Sequence, residues 1–171
     1  MKKNLVLLVL ISSVVFGAKA QHFKTTTING KVWMAENLNM VIPGSSEYNF
    51  DPELGRKYGR LYTWDAAKKA CPSGWHLPTE QEWDQMIDYV GGEGKAGKQL
   101  KPGSSFGFNA LLGGLTDVSN FRLIGYYGTF WSASGYDQDH AWYFFITPSD
   151  FITKTYFRKT YGFSVRCIKN D

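Results

Sequence analysis

The clearest pattern of apolar and polar positions in the chain predicts a helix that begins after Thr79. Thr79 and Glu82 form the Thr-x-x-Glu pattern of a capping box, in which each side chain bonds the backbone N–H of the other residue. The apolar positions that follow have the three- and four-residue spacing of one helix face, namely Trp83, Met86, Ile87 and Val90. Two glycines then end the helix. The pattern therefore predicts a helix with one stripe packed on a core.

A shorter helix is predicted over residues 63–70. Thr63 can cap its beginning, and Asp65 lies in the first turn, where a negative charge is favourable. The apolar residues Trp64, Ala67 and Cys71 recur at helical spacing, which turns that face inward. A Pro-Ser-Gly sequence at 72–74 stops the helix.

The remaining periodic segments are typical of strands. Thr25–Ile28 and Lys31–Met34 flank Asn-Gly, the dipeptide that suits a two-residue hairpin turn. Aromatic-rich runs later in the chain predict further strands at residues 106–112, 121–131, 141–146, 151–157 and 162–168. Residues 41–59, which carry several Gly, Pro and Ser, and residues 92–107, which are rich in Gly and Lys, lack a period and are predicted to be loops. Helices early and strands late predict an α+β fold.

The first twenty residues have the three parts of a secretory signal peptide. Two lysines precede an apolar run at residues 5–16, and Ala-Lys-Ala supplies small residues before a cleavage site after Ala20. A membrane anchor is the alternative, but the run is shorter than the ~20 residues that span a bilayer. We therefore predict a signal peptide at residues 1–20 and one exported domain at residues 21–171. No later segment is apolar enough to be a transmembrane span.

The balance of basic and acidic residues changes once that segment is set aside. The chain has 19 basic and 15 acidic residues among its 171. Three of the lysines lie in the signal segment, which leaves 16 basic residues against 15 acidic ones. A near-neutral domain with scattered cations does not predict nucleic-acid binding. Aromatic residues make up 16% of the chain, which provides many rings for a core or a binding surface.

Two cysteines, Cys71 and Cys167, remain in the exported part. In an oxidising compartment, an even number of cysteines favours a disulfide. A metal site would need further ligands at short spacing, and a nucleophilic thiol would need a nearby base. Two free buried thiols are the third alternative. The sequence favours the disulfide.

Five motifs in order resemble one known family. They are Val32-Trp33-Met34-Ala35-Glu36-Asn37-Leu38-Asn39, Tyr58-Gly59-Arg60-Leu61-Tyr62-Thr63-Trp64, Ala70-Cys71-Pro72-Ser73-Gly74-Trp75-His76-Leu77-Pro78-Thr79, Trp131-Ser132-Ala133-Ser134 and Tyr161-Gly162-Phe163-Ser164-Val165-Arg166-Cys167. The chain resembles the Fibrobacter succinogenes major paralogous domain over nearly all of its exported part. Residues 74–83 are more remotely similar to the formylglycine-generating enzyme family, whose fold is C-type-lectin-like.

The resemblance implies a fold but little chemistry. It implies two short helices packed on a twisted, loop-rich antiparallel sheet in which the N- and C-terminal strands meet. Many such folds carry a disulfide from the first helix to the last strand, which agrees with the pairing of Cys71 and Cys167. Formylglycine-type oxidation needs a reactive cysteine pair in the C-terminal half, where this chain has one cysteine. The resemblance therefore carries over the scaffold and not the activity.

Other catalytic and metal sites find little support in the sequence. The exported part has three histidines, His22, His76 and His140, of which His140 in a polar loop is the best functional candidate. No spacing singles out a carboxylate pair for glycoside cleavage. Asp137 and Asp139 could offer calcium ligands, but calcium takes six to eight oxygens and a solvated turn is favoured. We predict no cofactor, no metal and no enzyme.

The sequence instead predicts an exported, non-catalytic domain that binds a glycan or an envelope protein through loops of its second half. The tryptophans at 33, 64, 75, 83 and 131 lie in periodic segments and are predicted core residues. The predicted binding residues are Tyr126, Tyr127, Tyr136, Asp137, Asp139, His140, Trp142 and Tyr156. A carbohydrate hydrolase on the same scaffold and a structural envelope component are the alternatives.

Overall fold

The computed structural model describes residues 23–117 and 120–171. The predicted signal peptide and His22 lie outside the described residues. Within these ranges the chain forms α-helices and mainly antiparallel strands, which confirms the α+β prediction. The helices are α1 (Pro52–Tyr58), α2 (Trp64–Ala70), α3 (Glu80–Tyr89) and α4 (Glu93–Leu100). None of the helices in the described part is long and apolar enough to cross a membrane.

The strands form three sheets. Their bounds are β1 (Thr25–Ile28), β2 (Lys31–Met34), β3 (Ser45–Glu47), β4 (Arg60–Tyr62), β5 (Trp75–His76), β6 (Gly113–Asp117), β7 (Asn120–Ile124), β8 (Gly128–Gly135), β9 (His140–Ile146), β10 (Ile152–Arg158), β11 (Tyr161–Gly162) and β12 (Ile168–Lys169). One sheet has the order β1-β2-β12-β5, and the largest has the order β10-β9-β8-β6-β11, with β7 also paired to β6. β3 and β4 form the third.

Strands from both ends of the domain meet in the first sheet. Ile168 of β12 lies opposite Trp33 of β2 on one side and His76 of β5 on the other. Just before β12, Cys167 is bonded to Cys71 at the end of α2, with Cα atoms 5.9 Å apart. The predicted disulfide is confirmed, and it joins the first predicted helix to the end of the chain.

Three local sequence patterns correctly predict elements of the fold. Asn29 and Gly30 have φ angles of 51° and 72°, as a type I′ turn between β1 and β2 requires. Both hydrogen bonds of the capping box are present at Thr79 and Glu82, and the predicted apolar stripe of α3 is buried. Helix α2 begins after Thr63 as predicted, although the Thr63 side chain makes no capping hydrogen bond.

Both predicted loops contain a helix, so those predictions were wrong. Helix α1 begins at Pro52, where the Asp51 carboxylate accepts a hydrogen bond from the Glu53 backbone N–H at 2.8 Å. Asp-Pro is therefore a helix start here rather than a turn. Helix α4 contains two glycines, and Gly97 lies against the backbone of Phe151, where a side chain would collide. Position 97 is therefore a glycine because the two segments pack closely there, and not because the chain is a flexible loop.

The strand predicted at residues 106–112 is also absent. Asn109 has a left-handed φ of 53°, and the carbonyls of Phe108 and Asn109 accept hydrogen bonds from the Arg166 side chain instead of a strand. The run at 121–131 divides into β7 and β8 around a turn with Gly125 at φ 79°. The run at 162–168 is divided between the end of β11 and the start of β12, and between them Phe163 and Ser164 form isolated bridges with Tyr62 and Phe130.

Two clusters of buried residues form the core. The first packs α3 and α4 on β8 and β9, and Trp83 stacks on Phe144 with ring centroids 5.1 Å apart. The second surrounds α2 and includes Trp131, whose indole N–H donates to the Tyr62 carbonyl at 2.7 Å. Four of the five tryptophans predicted as core are buried, while Trp75 is half-buried. These clusters hold β8, β9 and β10 in the register that positions the candidate site.

Candidate functional site

The predicted binding residues fall at two ends of the β8–β9 pair. Gly128 and Ile146 are partners at one end, next to Tyr126 and Tyr127. Gly135 and Ala141 are partners at the other end, next to Tyr136 and the loop to His140. The structure therefore brings together six of the eight residues, Tyr136, Asp137, Asp139, His140, Trp142 and Tyr156, and leaves the other two apart.

Three aromatic rings converge at this second end, and we call Tyr136, Trp142 and Tyr156 the aromatic cluster. Trp142 and Tyr156 are partners across the β9–β10 ladder, so their side chains project from the same face of the sheet. The rings of Tyr136 and Tyr156 stack with centroids 3.8 Å apart and planes within 2°. Trp142 stands edge-on to both. Tyr136 is 47% exposed and Tyr156 is 42% exposed, so the cluster reaches the surface.

The loop that carries Tyr136 is held by hydrogen bonds within the loop and from Lys159. The Asp137 carboxylate accepts from the backbone N–H groups of Asp139 and His140 at 2.8 and 2.7 Å, and from the His140 ring at 2.9 Å. Lys159 donates its ammonium protons to the carbonyls of Asp137 and Gln138. These contacts fix the loop geometry, so the aromatic cluster is formed before any ligand arrives.

The same hydrogen bonds set the charge of this loop. Desolvation alone would raise the pKa of Asp137, but the hydrogen bonds from the His140 ring and the two backbone N–H groups outweigh it and lower the pKa. Asp137 is thus an anion at neutral pH. A hydrogen bond with Tyr156 raises the pKa of Tyr136, so its hydroxyl stays protonated and can donate.

A polar group borders the aromatic cluster on the side of α3. The Lys154 ammonium lies 2.9 Å from both the Glu80 and the Asp84 carboxylates and 5.7 Å from the Trp142 ring centre. Hydrogen bonds to Asp84 and Glu80 raise the pKa of Lys154, so its ammonium stays charged throughout the neutral range. Flat rings therefore lie beside donors and acceptors, an arrangement that can bind a molecule with one apolar face and polar edges.

Comparison with known proteins identifies the family of this chain. The family model for the Fibrobacter succinogenes major domain matches residues 26–169. The chain belongs to this family. Comparison with curated proteins and with solved structures found no match.

Within this Fibrobacter succinogenes major domain, a second aromatic surface was not identified from the sequence. Strand alternation places Tyr143 and Phe145 on the face opposite Trp142, where Phe145 contacts Tyr127 with centroids 5.4 Å apart. Tyr143 also contacts Phe157 of the edge strand β10. Burial raises the pKa of Tyr143 to about 12, and its ring is largely covered. Alternation along β9 is the signal that separates the two faces.

The other histidine of the described part has structural contacts. His76 bonds Glu82 through Nε2 at 3.0 Å and Asn170 through Nδ1 at 2.7 Å, which ties β5 to α3 and to the chain end. His140 is the histidine that faces the aromatic cluster, with its ring centre 5.8 Å from that of Tyr156. Across residues 23–117 and 120–171, no three His, Cys, Asp or Glu side chains are grouped as metal ligands.

Proposed function

We propose that this chain is an exported, non-catalytic recognition domain that binds a glycan at the aromatic cluster. The observation that carries the proposal is the convergence of Tyr136, Trp142 and Tyr156 beside the polar groups of His140 and Lys154. A sugar ring has an apolar face of C–H groups and an edge of hydroxyls. An aromatic ring covers the first, and charged or neutral polar side chains bond the second.

Export is part of this proposal. The disulfide between Cys71 and Cys167 is of the kind that persists in oxidising compartments, and the sequence predicts a signal peptide ahead of the domain. We also keep the C-type-lectin-like comparison as a proposal, supported by the meeting of β2 with β12 and by the disulfide beside it. A scaffold with tied ends and a fixed loop suits recognition, because less order has to be gained on binding.

A glycan is favoured over a protein partner by the composition of the cluster. Protein interfaces have an apolar core that is cleared of charge. Here Lys154, Glu80 and Asp84 lie next to the rings with their charges satisfied by one another, and Asp137 and His140 border the other side. Charged groups that already have partners can still accept hydrogen bonds from sugar hydroxyls or donate hydrogen bonds to them at a modest cost in desolvation.

The absence of catalysis is likewise a proposal, supported by how Asp137 is used. Its carboxylate already accepts hydrogen bonds from two backbone N–H groups and the His140 ring. These donors stabilise a turn. Asp137 and His140 therefore serve the structure of the loop and are not arranged as a general base that would contact a substrate. A hydrolase is the alternative, and the release of reducing ends from oligosaccharides that stops in His140→Ala would favour it.

The test is binding of the oxidised exported domain to a glycan array, followed by calorimetry with each glycan that binds. Tyr156→Ala and Trp142→Ala should each weaken binding about tenfold, the usual effect of removing an aromatic anchor. Tyr126→Ala is the matched control, because Tyr126 is 66% exposed and lies at the other end of the β8–β9 pair. Its affinity should be unchanged.

Two results would overturn the proposal. One is an array without any bound glycan when circular dichroism shows folded, oxidised protein. The other is an equal loss of affinity in Tyr126→Ala and Tyr156→Ala, which would separate binding from the aromatic cluster. Capture of an envelope protein that Tyr156→Ala abolishes, without glycan binding, would favour a protein partner in place of a glycan.

A further inference from the structure

A cavity lined by both charged and apolar residues lies in a different part of the fold from the aromatic cluster. Its volume is about 470 Å³, within the range of about 300–1,000 Å³ that is usual for small-molecule sites. Its walls come from the segment after β2, the second half of α1 and the irregular segment before β6. The charged and amide residues that line it are Lys24, Glu36, Asn37, Asn39, Arg56, Lys57 and Asn109.

One buried cation lies directly behind the cavity wall. Arg166 is fully buried, and it donates to the Asn37 side-chain oxygen at 2.7 Å and to the Asn109 carbonyl at 2.9 Å. Asn37 and Asn109 both line the cavity, so they separate the guanidinium from its interior. The hydrogen-bond partners of Arg166 in the described part are neutral, and Glu36 on the cavity wall is the carboxylate whose charge acts on it.

Burial lowers the pKa of Arg166 to about 9, so the group remains a cation at neutral pH. Three further cations, Lys24, Arg56 and Lys57, stand at the cavity against the one carboxylate of Glu36. Ion pairs of Lys24 with Glu36 and of Arg56 with Glu53 offset part of this charge. Lys57 has no carboxylate partner among the described residues, and it lies over the ring of Tyr58. The field in the cavity is therefore positive, and a cleft concentrates such a field.

We infer that this cavity binds a small sugar that carries one anionic group, either a sugar acid or a sugar phosphate. Lys57 and Lys24 would pair with the anion, while the amides of Asn39 and Asn109 offer donors and acceptors to hydroxyls. Pro102 and Leu111 add apolar surface to the lining. This site is independent of the proposed glycan-binding cluster.

Calorimetry with D-glucuronate, glucose 6-phosphate and D-glucose tests the inference. We expect at least one of the two anions to bind, and D-glucose to bind about tenfold more weakly or not at all. Lys57→Ala and Asn39→Ala should each weaken the anion about five- to tenfold, and rising salt should weaken it further. Comparing the two anions distinguishes a carboxylate site from a phosphate site.

Matched variants locate the effect. Lys69→Ala removes the same charge from α2, where the residue is exposed and does not line this cavity, so its affinity should equal that of the wild type. Tyr156→Ala should also bind the anion normally, which separates this site from the aromatic cluster. Equal binding of glucose and both anions, no binding of either anion, or equal losses in Lys57→Ala and Lys69→Ala would each overturn the inference.

Discussion

The Arg166 guanidinium donates its Nε–H to the Asn37 side-chain oxygen at 2.7 Å, across 129 residues of sequence. Asn37 in turn donates to the Tyr58 carbonyl at 2.7 Å, and Arg166 also donates to the carbonyls of Met34 and Phe108. A single buried side chain from the segment before β12 thus bonds the end of β2, the segment after β2 and the segment before β6. It satisfies backbone acceptors that no strand pairs.

Replacing Arg166 with methionine should lower the free energy of unfolding by about 3 kcal/mol or more. Methionine preserves bulk but leaves the carbonyls of Met34 and Phe108 and the side-chain oxygen of Asn37 buried without the Arg166 donor, at about 1–3 kcal/mol for each such group. Urea unfolding followed by tryptophan fluorescence measures the change. Arg122→Met is the control, since that side chain is 60% exposed and its ion pair with Asp117 contributes about 1 kcal/mol or less. Equal stability of the two variants would contradict this role of Arg166.

Removing the disulfide should be more costly. Cys71 and Cys167 close a loop of 96 residues, and chain entropy predicts about 4–5 kcal/mol of stabilisation for a loop of that length. We expect the double variant Cys71→Ala/Cys167→Ala to lose about that amount in urea unfolding. Reductant should destabilise the wild type by a similar amount and leave the double variant unchanged. Two thiols that react with iodoacetamide in the native protein, without reductant, would contradict the pairing.

Structure encoded within a few residues could be predicted from the sequence. The Asn29-Gly30 turn and the Thr79–Glu82 capping box form bonds over one to three residues, so their patterns carry the whole signal. The disulfide prediction needed one more premise, an oxidising compartment, because two cysteines can also remain free thiols. These three features correctly placed β1, β2, α3 and the link between α2 and β12.

Structure that depends on distant contacts could not be predicted. The loop prediction for 92–107 failed because Gly97 packs on the backbone of Phe151, which the local sequence does not reveal. The strand prediction for 106–112 failed because Arg166 bonds the carbonyls that a strand would use.

The candidate site shows the same limit. Tyr136 and Tyr156 stack because the register between β9 and β10 brings them together, whereas Tyr126 and Tyr127 were grouped with them on residue type alone.

Acid should remove the contribution of the capping box of α3. Desolvation alone would raise the pKa of Glu82, but hydrogen bonds from the Thr79 backbone N–H, the His76 ring and the Thr79 hydroxyl lower it below 4.5. A carboxyl with a lowered folded-state pKa stabilises above its unfolded pKa of 4.5 and loses that effect as pH falls through the folded value. We expect Glu82→Gln to cost about 0.5–2 kcal/mol at pH 7.

Urea unfolding of the wild type and Glu82→Gln between pH 7 and pH 3 tests this. The two curves should converge below pH 4.5, because protonated Glu82 resembles glutamine. Asp88→Asn changes an exposed carboxylate near the end of the same helix and should stay within about 0.5 kcal/mol of the wild type. A stability difference for Glu82→Gln that is constant over this range would refute the titration of Glu82.

Alanine at the two glycines of α4 should have opposite effects. At Gly94 the nearest atom to an added Cβ is a Phe151 ring carbon at 3.8 Å, an ordinary contact. Gly94→Ala should therefore stabilise the protein by about 0.5–1 kcal/mol, since glycine loses more backbone entropy in a helix.

At Gly97 the added Cβ would lie 2.2 Å from the Phe151 carbonyl oxygen and 2.6 Å from that of Asp150. Backbone atoms held by α4 and β10 cannot move aside without separating the two elements, which also share the hydrogen bond from the Lys98 N–H to the Asp150 carbonyl. Gly97→Ala should thus destabilise by about 1–3 kcal/mol in spite of its better helix propensity. Urea unfolding of both variants measures the two changes in the free energy of unfolding. Stabilisation by Gly97→Ala would show that α4 does not pack on the backbone of Asp150 and Phe151.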